Sequence, residues 1–351
     1  MKMNLCLFCL VFLLLVFLTL QSVTGAGSYN YMLKPNVLVV VPAMGSSTVQ
    51  VTLQCGESYA HGDVVWRIKG REVARGNQVN IIVEEMLGGN YTCHARSGAL
   101  LNHTLVLVQA VHRRILDRSP DSEYIHCLSK NYSGVFQCSW TWSRTRKGDL
   151  LLVTAARSTA EITCSLDPSG HSITCRDPAH CPYSEEIERI KLAVYVKNEF
   201  RMEKYTQAFY IAEIVKPDRI TVTKVDRNNF EWGYPDTWST PDSYFPLTFQ
   251  VKVIPWKQRC DCECLARRSG KIELHTTQSR QWPVREGFLF CVRAQDALCN
   301  SSWSDWSLVG KNLPAHFNST SDAGTSAAQN KRNKKKNRKQ KGNHKKRRNR
   351  I

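Results

Sequence analysis

The side chains best equipped for chemistry in this sequence are its cysteines. Twelve lie beyond the apolar start of the chain, at positions 55, 93, 127, 138, 164, 175, 181, 260, 262, 264, 291 and 299. Thiols of this number either oxidise to disulfides or ligate metal. The run Cys260-Asp261-Cys262-Glu263-Cys264 offers zinc three thiols, but its spacing on a strand gives poor tetrahedral geometry, and no metal is expected. Catalytic constellations are missing. There is no H-E-x-x-H, no G-x-S-x-G and no phosphate-cradling glycine loop, and the ten histidines stand apart from any suggestive Ser, Cys or carboxylate cluster. The expectation is a binding protein with no catalytic residue and no cofactor, a secreted enzyme being the rival from another class.

The compartment decides what the thiols do. Lys2 is followed by an uncharged run from Leu5 to Leu20 and by the small residues Val23, Thr24, Gly25 and Ala26. That order predicts a signal peptide over 1–25, cleaved near Gly25; the alternative is a short membrane anchor. No later run is apolar for long enough to span a bilayer, so a secreted, extracellular chain is expected, and disulfides with it. Sequons at Asn90, Asn102, Asn131, Asn300 and Asn318 suit a glycoprotein.

The charge is concentrated at the other end. Residues 331–350 hold thirteen Lys or Arg and no acid, out of a net charge of +18 for the whole chain. Such a run buries no surface and predicts a disordered polybasic tail over 313–351. On a secreted protein its expected partner is a sulfated glycosaminoglycan such as heparan sulfate, not nucleic acid, since it has no aromatic residue for base stacking. A solubilising tail, trimmed by proteases, is the alternative.

The elements that must position the cysteines are strands. Short branched and aromatic runs recur at Val37–Val41, Val79–Val83, Leu105–Val108, Leu192–Val196, Leu247–Val253 and Phe288–Val292, separated by turn formers. Glu185–Val196 starts like a helix but passes into one of these runs. The fold class predicted is all-β, with three tandem β-sandwiches: an immunoglobulin-like domain over 26–110 and fibronectin type III domains over 111–215 and 216–312. In the first, Cys55, Trp66 and Tyr91-Thr92-Cys93 have immunoglobulin spacing: a disulfide between facing sheets, a tryptophan packed on it, and a tyrosine whose hydroxyl caps a corner. In the second, Cys127 and Cys138-Ser139-Trp140 predict a disulfide-closed hairpin, Cys164 and Cys175 are spaced to close another, and Cys181 is left over.

The third domain carries Trp303-Ser304-Asp305-Trp306-Ser307. Two tryptophans three apart predict a bulged edge whose rings interleave with guanidinium groups, Arg293 among them, at roughly 0.5–2 kcal/mol per stacked pair. The serine hydroxyls then satisfy backbone groups, and the motif reads as structural.

Cys138-x-Trp140, the proline elbow at Pro217 and the Trp303–Ser307 pentad together resemble the type I cytokine-receptor family. With an immunoglobulin domain in front, the stretches Ser129–Gly134, Tyr234–Pro241 and Val292–Asp296 resemble, within it, the soluble beta-subunit family of interleukin-12-type cytokines. The likeness covers about residues 30–310. It implies a secreted receptor-like subunit of a heterodimeric cytokine, whose elbow between domains two and three holds a four-helix alpha chain of the interleukin-12 or interleukin-23 type. The immunoglobulin domain would then engage a cell-surface cytokine receptor.

The same likeness implies site residues. Cys175-x5-Cys181-Pro182 matches the family segment whose second cysteine makes the interchain disulfide, so Cys181 takes that role; a fourth internal bridge is the alternative. A pocket for an arginine of the alpha chain matches Tyr132, Glu185, Tyr244 and Asp296, two carboxylates and two aromatic faces suited to a guanidinium. Ala297-Leu298 departs from the aromatic character expected there, and the odd set of Cys260, Cys262, Cys264, Cys291 and Cys299 leaves one thiol over. Rival binding functions are a soluble receptor alpha subunit that takes its cytokine reversibly and a disulfide-linked homodimeric antagonist.

Overall fold

In Thr48–Gln54 the sequence TVQVTLQ buries Val49, Val51 and Leu53 and exposes the residues between them, the period of a strand with one face on a core. Patterns of this kind recur along a chain of tandem β-sandwiches. The computed structural model describes residues 27–309 apart from 47, 61, 85–87, 122, 227, 256–261, 264–271 and 286. The expected signal peptide, the basic tail, Asn318, Cys260 and Cys264 lie outside the described residues.

The first sandwich comprises β1 (Tyr29–Lys34), β2 (Val37–Val41), β3 (Thr48–Gln54), β4 (Val64–Ile68), β5 (Arg71–Arg75), β6 (Gln78–Glu84), β7 (Gly89–Ala95) and β8 (Leu100–Gln109). β3 pairs with β6 as one layer, and β5, β4, β7 and β8 form the other. Cys55–Cys93 ties the layers together, with its Cα atoms 6.0 Å apart. Trp66 is fully buried, stands in register with Cys93 on the neighbouring strand, and donates Nε1–H to the Gly76 carbonyl at 2.9 Å. Tyr91 is buried in the same cluster; the backbone at 85–87, just before it, lies outside the described residues.

The second sandwich holds β9 (His126–Leu128), β10 (Val135–Ser139), β11 (Asp149–Arg157), β12 (Ala160–Glu161), β13 (Thr163–Leu166), β14 (Ser172–Arg176), β15 (Ile190–Asn198) and β16 (Arg201–Phe209). Cys127–Cys138 and Cys164–Cys175 cross neighbouring strands of the layer β13-β14-β10-β9, each with Cα atoms 4.0 Å apart. Residues 177–189 contain no helix, and regular structure resumes at Ile190.

The first two sandwiches share a sheet. β16 pairs in parallel with β8, Arg201 opposite Val108 and Met202 opposite Gln109, which joins both domains into one ten-stranded sheet. Beside this seam Val37, Val39 and Leu107 pack with Tyr195 and Met202 in a separate apolar cluster. The connector is fixed by Glu203, whose fully buried carboxylate accepts the backbone N–H groups of Arg114 and Ile115 at 2.8 Å, the Tyr205 hydroxyl at 2.5 Å and Arg201 Nε–H at 2.6 Å.

A single helical turn, α1 (Ile211–Ile214), leads to the elbow. The third sandwich follows with β17 (Val222–Lys224), β18 (Asn229–Trp232), β19 (Leu247–Pro255), β20 (Glu273–Thr277), β21 (Gln281–Pro283), β22 (Phe288–Asp296) and β23 (Ser307–Val309). Its layers are β17-β18-β21 and β20-β19-β22-β23, and Cys262–Cys291 is its disulfide among the described residues. One continuous apolar core runs from domain two into domain three. No helix among the described residues is long and apolar enough to cross a membrane.

Candidate partner-binding site at the elbow

Backbone bonds set the elbow. Ser129 N–H donates to the Ile214 carbonyl at 3.0 Å, and Lys216 N–H to the Ser129 carbonyl at 2.7 Å. Ion pairs Lys130–Asp218 (3.0 Å) and Lys216–Asp305 (2.7 Å) cross from domain two and the hinge to domain three; partly exposed, each contributes at most about 1 kcal/mol.

The four residues matched to an arginine pocket fall into two pairs. Tyr132 and Asp296 are buried, at 5% and 4% exposure, and the Tyr132 hydroxyl donates to Asp296 Oδ2 at 2.9 Å. Glu185 and Tyr244 are exposed, with the Tyr244 hydroxyl 3.4 Å from Glu185 Oε1. Partial desolvation beside its neighbours and then the Glu185 charge push that hydroxyl's pKa up. Phe245 links the pairs: its ring stacks on Tyr132 at 5.2 Å and meets Tyr244 at 5.2 Å. The site is thus contiguous, with its carboxylates at different depths.

Cys181 lies on the irregular segment between β14 and β15. Its thiol is free and half-buried. Around it the segment exposes Tyr183, Glu185 and Ile187, the last at 90%, and Tyr183 packs edge-on against Tyr244 at 5.0 Å. Leu298 is 74% exposed where aromatic character was expected. Gly134, at φ +75°, admits the segment closely: a Cβ there would stand 2.6 Å from His180 Cβ, a clash on top of a backbone conformation that other residues resist.

Cys299 is the second free thiol among the described residues. It lies 3.4 Å from the Ala212 carbonyl and 3.5 Å from the Tyr132 hydroxyl, and burial pushes its pKa up. In the sequence, position 299 stands out only as part of an odd cysteine count. Tyr183 and Ile187 were not singled out, and no periodicity marks them: Pro182, Glu188 and Arg189 of the same irregular segment are exposed as well.

The Trp303–Ser307 pentad lies beside the hinge, where Asp305 pairs with Lys216 at 2.7 Å and Ser302 N–H donates to the Val215 carbonyl at 3.2 Å. Arg293 Cζ lies 4.9 Å from the Trp303 ring centroid and 4.4 Å from that of Trp306, and its fork reaches Gln250 Oε1 at 2.9 and 2.6 Å. Lys252 Nζ lies 4.6 Å from the Trp306 ring centroid and donates to the Cys262 carbonyl. Ser304 Oγ accepts Ala294 N–H at 2.9 Å, and Ser307 Oγ donates to the Ile220 carbonyl. Among the sequons, Asn90 and Asn300 are exposed. Asn102 and Asn131 donate Nδ2–H to the carbonyls of Cys55 at 2.8 Å and Thr237 at 2.6 Å.

A family model described as the C-terminus of cytokine interleukin-12p40 matches residues 122–198, the stretch with both hairpin disulfides of domain two and Cys181. The chain is similar to interleukin-12 subunit beta of Sigmodon hispidus, 30% identical over 299 residues that cover 76% of this chain and 88% of the relative. Against interleukin-12 subunit beta of Homo sapiens the identity is 30% over 293 residues, covering 74% and 85%. The family is one of cytokine subunits. This chain belongs to the interleukin-12 subunit beta family.

Proposed function

We propose that the chain is secreted as the receptor-like subunit of a heterodimeric cytokine, joined through Cys181 to a four-helix alpha chain seated in the elbow of domains two and three. The carrying observation is the free thiol of Cys181 on a segment that also exposes Tyr183, Glu185 and Ile187 beside Tyr244 of the next domain. An exposed aromatic and aliphatic patch with a carboxylate and a thiol at its edge suits a large helix-face interface, with an arginine anchor drawn to Glu185 and towards Asp296. The immunoglobulin domain, continuous in sheet with domain two, presents the assembly to a cell-surface receptor. The polybasic tail holds it at sulfated glycosaminoglycans.

Co-secretion with four-helix alpha chains, compared for wild type and Cys181→Ser on non-reducing gels, tests the reading. A disulfide-linked heterodimer that becomes non-covalent in the variant, yet still co-purifies, is expected. Secretion of wild type only as a monomer that retains no alpha chain would overturn it and favour a soluble receptor that binds reversibly. A Cys181-linked homodimer would instead favour the antagonist.

A further inference from the structure

The segment 177–189 has no strand or helix of its own; Arg189 ties its end to Glu213 and the Ala208 carbonyl, and one further guanidinium joins its start to its end. Arg157 closes β11 with its side chain only 9% exposed. Nε–H donates to Asp177 Oδ2 at 2.8 Å, Nη1–H to the Glu188 carbonyl at 2.7 Å, and Nη2–H to Glu186 Oε1 at 2.5 Å. One side chain therefore grips both ends of the loop that carries Cys181.

Its partners reach further. Asp177, fully buried, accepts Ala179 N–H at 2.9 Å through its other oxygen. Glu186 accepts Ile211 N–H at 2.6 Å, in the turn that leads to the elbow. From that turn the Ala212 carbonyl accepts the Cys299 thiol at 3.4 Å, and Cys299 N–H reaches Asp296 Oδ1 at 3.2 Å. Polar contacts thus run without a break from Arg157 to Asp296. Within the loop Glu186 turns inward to this network, while Glu185 and Ile187 on either side turn out.

Two carboxylates and a carbonyl converge on a flat fork with five donors, a geometry that an ammonium does not match. Buried ion clusters seldom add stability over apolar residues of the same volume. What this one does supply is placement. We infer that Arg157 is the positioning residue for covalent pairing through Cys181: it holds the loop so that the thiol and the exposed side chains beside it meet a partner in one orientation. The inference rests on the role of Cys181 under Proposed function. In the pairing step Cys181 and a partner cysteine together give up two protons and two electrons to a protein disulfide or oxidised glutathione. That oxidant leaves as two thiols as the interchain S–S bond forms.

The test compares the full chain with Arg157→Lys and with the triple variant Arg157→Met/Asp177→Asn/Glu186→Gln, which leaves no unpaired buried charge. Three quantities are read: alkylation of Cys181 by N-ethylmaleimide, resolved from Cys299 by peptide mapping; amide exchange over 177–190; and the disulfide-linked fraction with co-secreted four-helix alpha chains. In a variant that is secreted and melts like wild type, alkylation and exchange are expected to rise about tenfold, confined to this loop. The linked fraction is expected to fall by about the same factor, because a displaced thiol loses its near-attack geometry. Unchanged alkylation and exchange in the folded triple variant overturn the positioning role, and if that variant is not secreted, the same readings on Arg157→Lys decide. Where wild type retains no alpha chain, the proposed function fails, while alkylation and exchange still rule for or against the hold of Arg157 on the loop.

Discussion

Asp296 accepts the Tyr132 hydroxyl at 2.9 Å although 164 residues separate them in sequence. Tyr132 belongs to the turn between β9 and β10, and Asp296 ends β22, so the bond joins domain two to domain three inside the elbow. The same ring meets Trp238 edge-on at 6.0 Å and stacks on Phe245 at 5.2 Å. Burial, the contact with Cys299 and the Asp296 charge all push the Tyr132 hydroxyl's pKa up, so it stays a donor at physiological pH. Apolar packing sets the proximity of the domains here, and this buried charge-assisted bond joins the exposed ion pairs of the elbow in fixing their orientation.

Tyr132→Phe keeps the ring and removes that donor, leaving a carboxylate oxygen buried without it. The expected loss is about 1–3 kcal/mol of unfolding free energy, measured as a lower denaturation midpoint at unchanged m. A midpoint equal to wild type would mean that Asp296 gains nothing from Tyr132.

Glu203 gives the seam of domains one and two a pH dependence. Burial alone would raise its carboxyl pKa, but the bonds from Tyr205, the Ile115 N–H, Arg201 and the Arg114 N–H outweigh it, and the net shift is down from 4.5. A depressed folded pKa contributes stability that is fully present above the unfolded value and is lost as pH falls through the folded one. Unfolding free energy is therefore expected to decline below about pH 4.5, the ordinary range of a glutamate. Glu203→Gln should lose about 3 kcal/mol at pH 7, by breaking one side of a buried pair, and should show a shallower acid slope. Denaturant titrations at pH 3, 4 and 7 check both, and parallel slopes for variant and wild type would assign the acid sensitivity elsewhere.

In domain three, Arg293 serves two rings and Gln250 at once. Lysine keeps the charge but not the flat fork, and a single ammonium cannot lie over Trp303 and Trp306 while bonding Gln250. Arg293→Lys is expected to destabilise the domain by about 1–2 kcal/mol, seen as a lower melting temperature with unaltered alpha-chain capture. Loss of capture at unchanged stability would instead put the motif in the interface.

How much of this was legible varies with sequence distance. Strand runs such as Val37–Val41 and Leu247–Val253 were plain because a short run of branched and aromatic residues is a local signal, and each lies within a strand. The spacing of Cys55, Trp66 and Cys93 carries its own geometry. By contrast, Arg201-Met202-Glu203 reads as an alternation with charges turned to solvent, yet Arg201 and Glu203 are buried at a domain seam. Nothing in the pattern announces a second domain above a strand. The grip of Arg157 on Asp177 and Glu186 was invisible for a similar reason: it joins a strand end to an irregular loop, where no periodicity marks which acid turns inward. Tyr132, Glu185, Tyr244 and Asp296 were named only through family likeness, and that likeness did not say that they divide into a buried and an exposed pair.

The basic run at 331–350 is read from its composition alone. Thirteen cations without an acid bind a polyanion chiefly by releasing its condensed counterions, so affinity should fall steeply and linearly on a log–log plot against salt. Deleting residues 331–351 is therefore expected to lower the sodium chloride needed for elution from heparin and to flatten the salt dependence, leaving thermal stability and alpha-chain capture as they were. The slope is the sharper readout, because its change reports how many sulfate and carboxylate groups the run neutralises, whereas elution position also reflects basic residues elsewhere. If the truncated chain elutes at the same salt with the same slope, the run does not engage the polysaccharide, and its charge serves solubility instead.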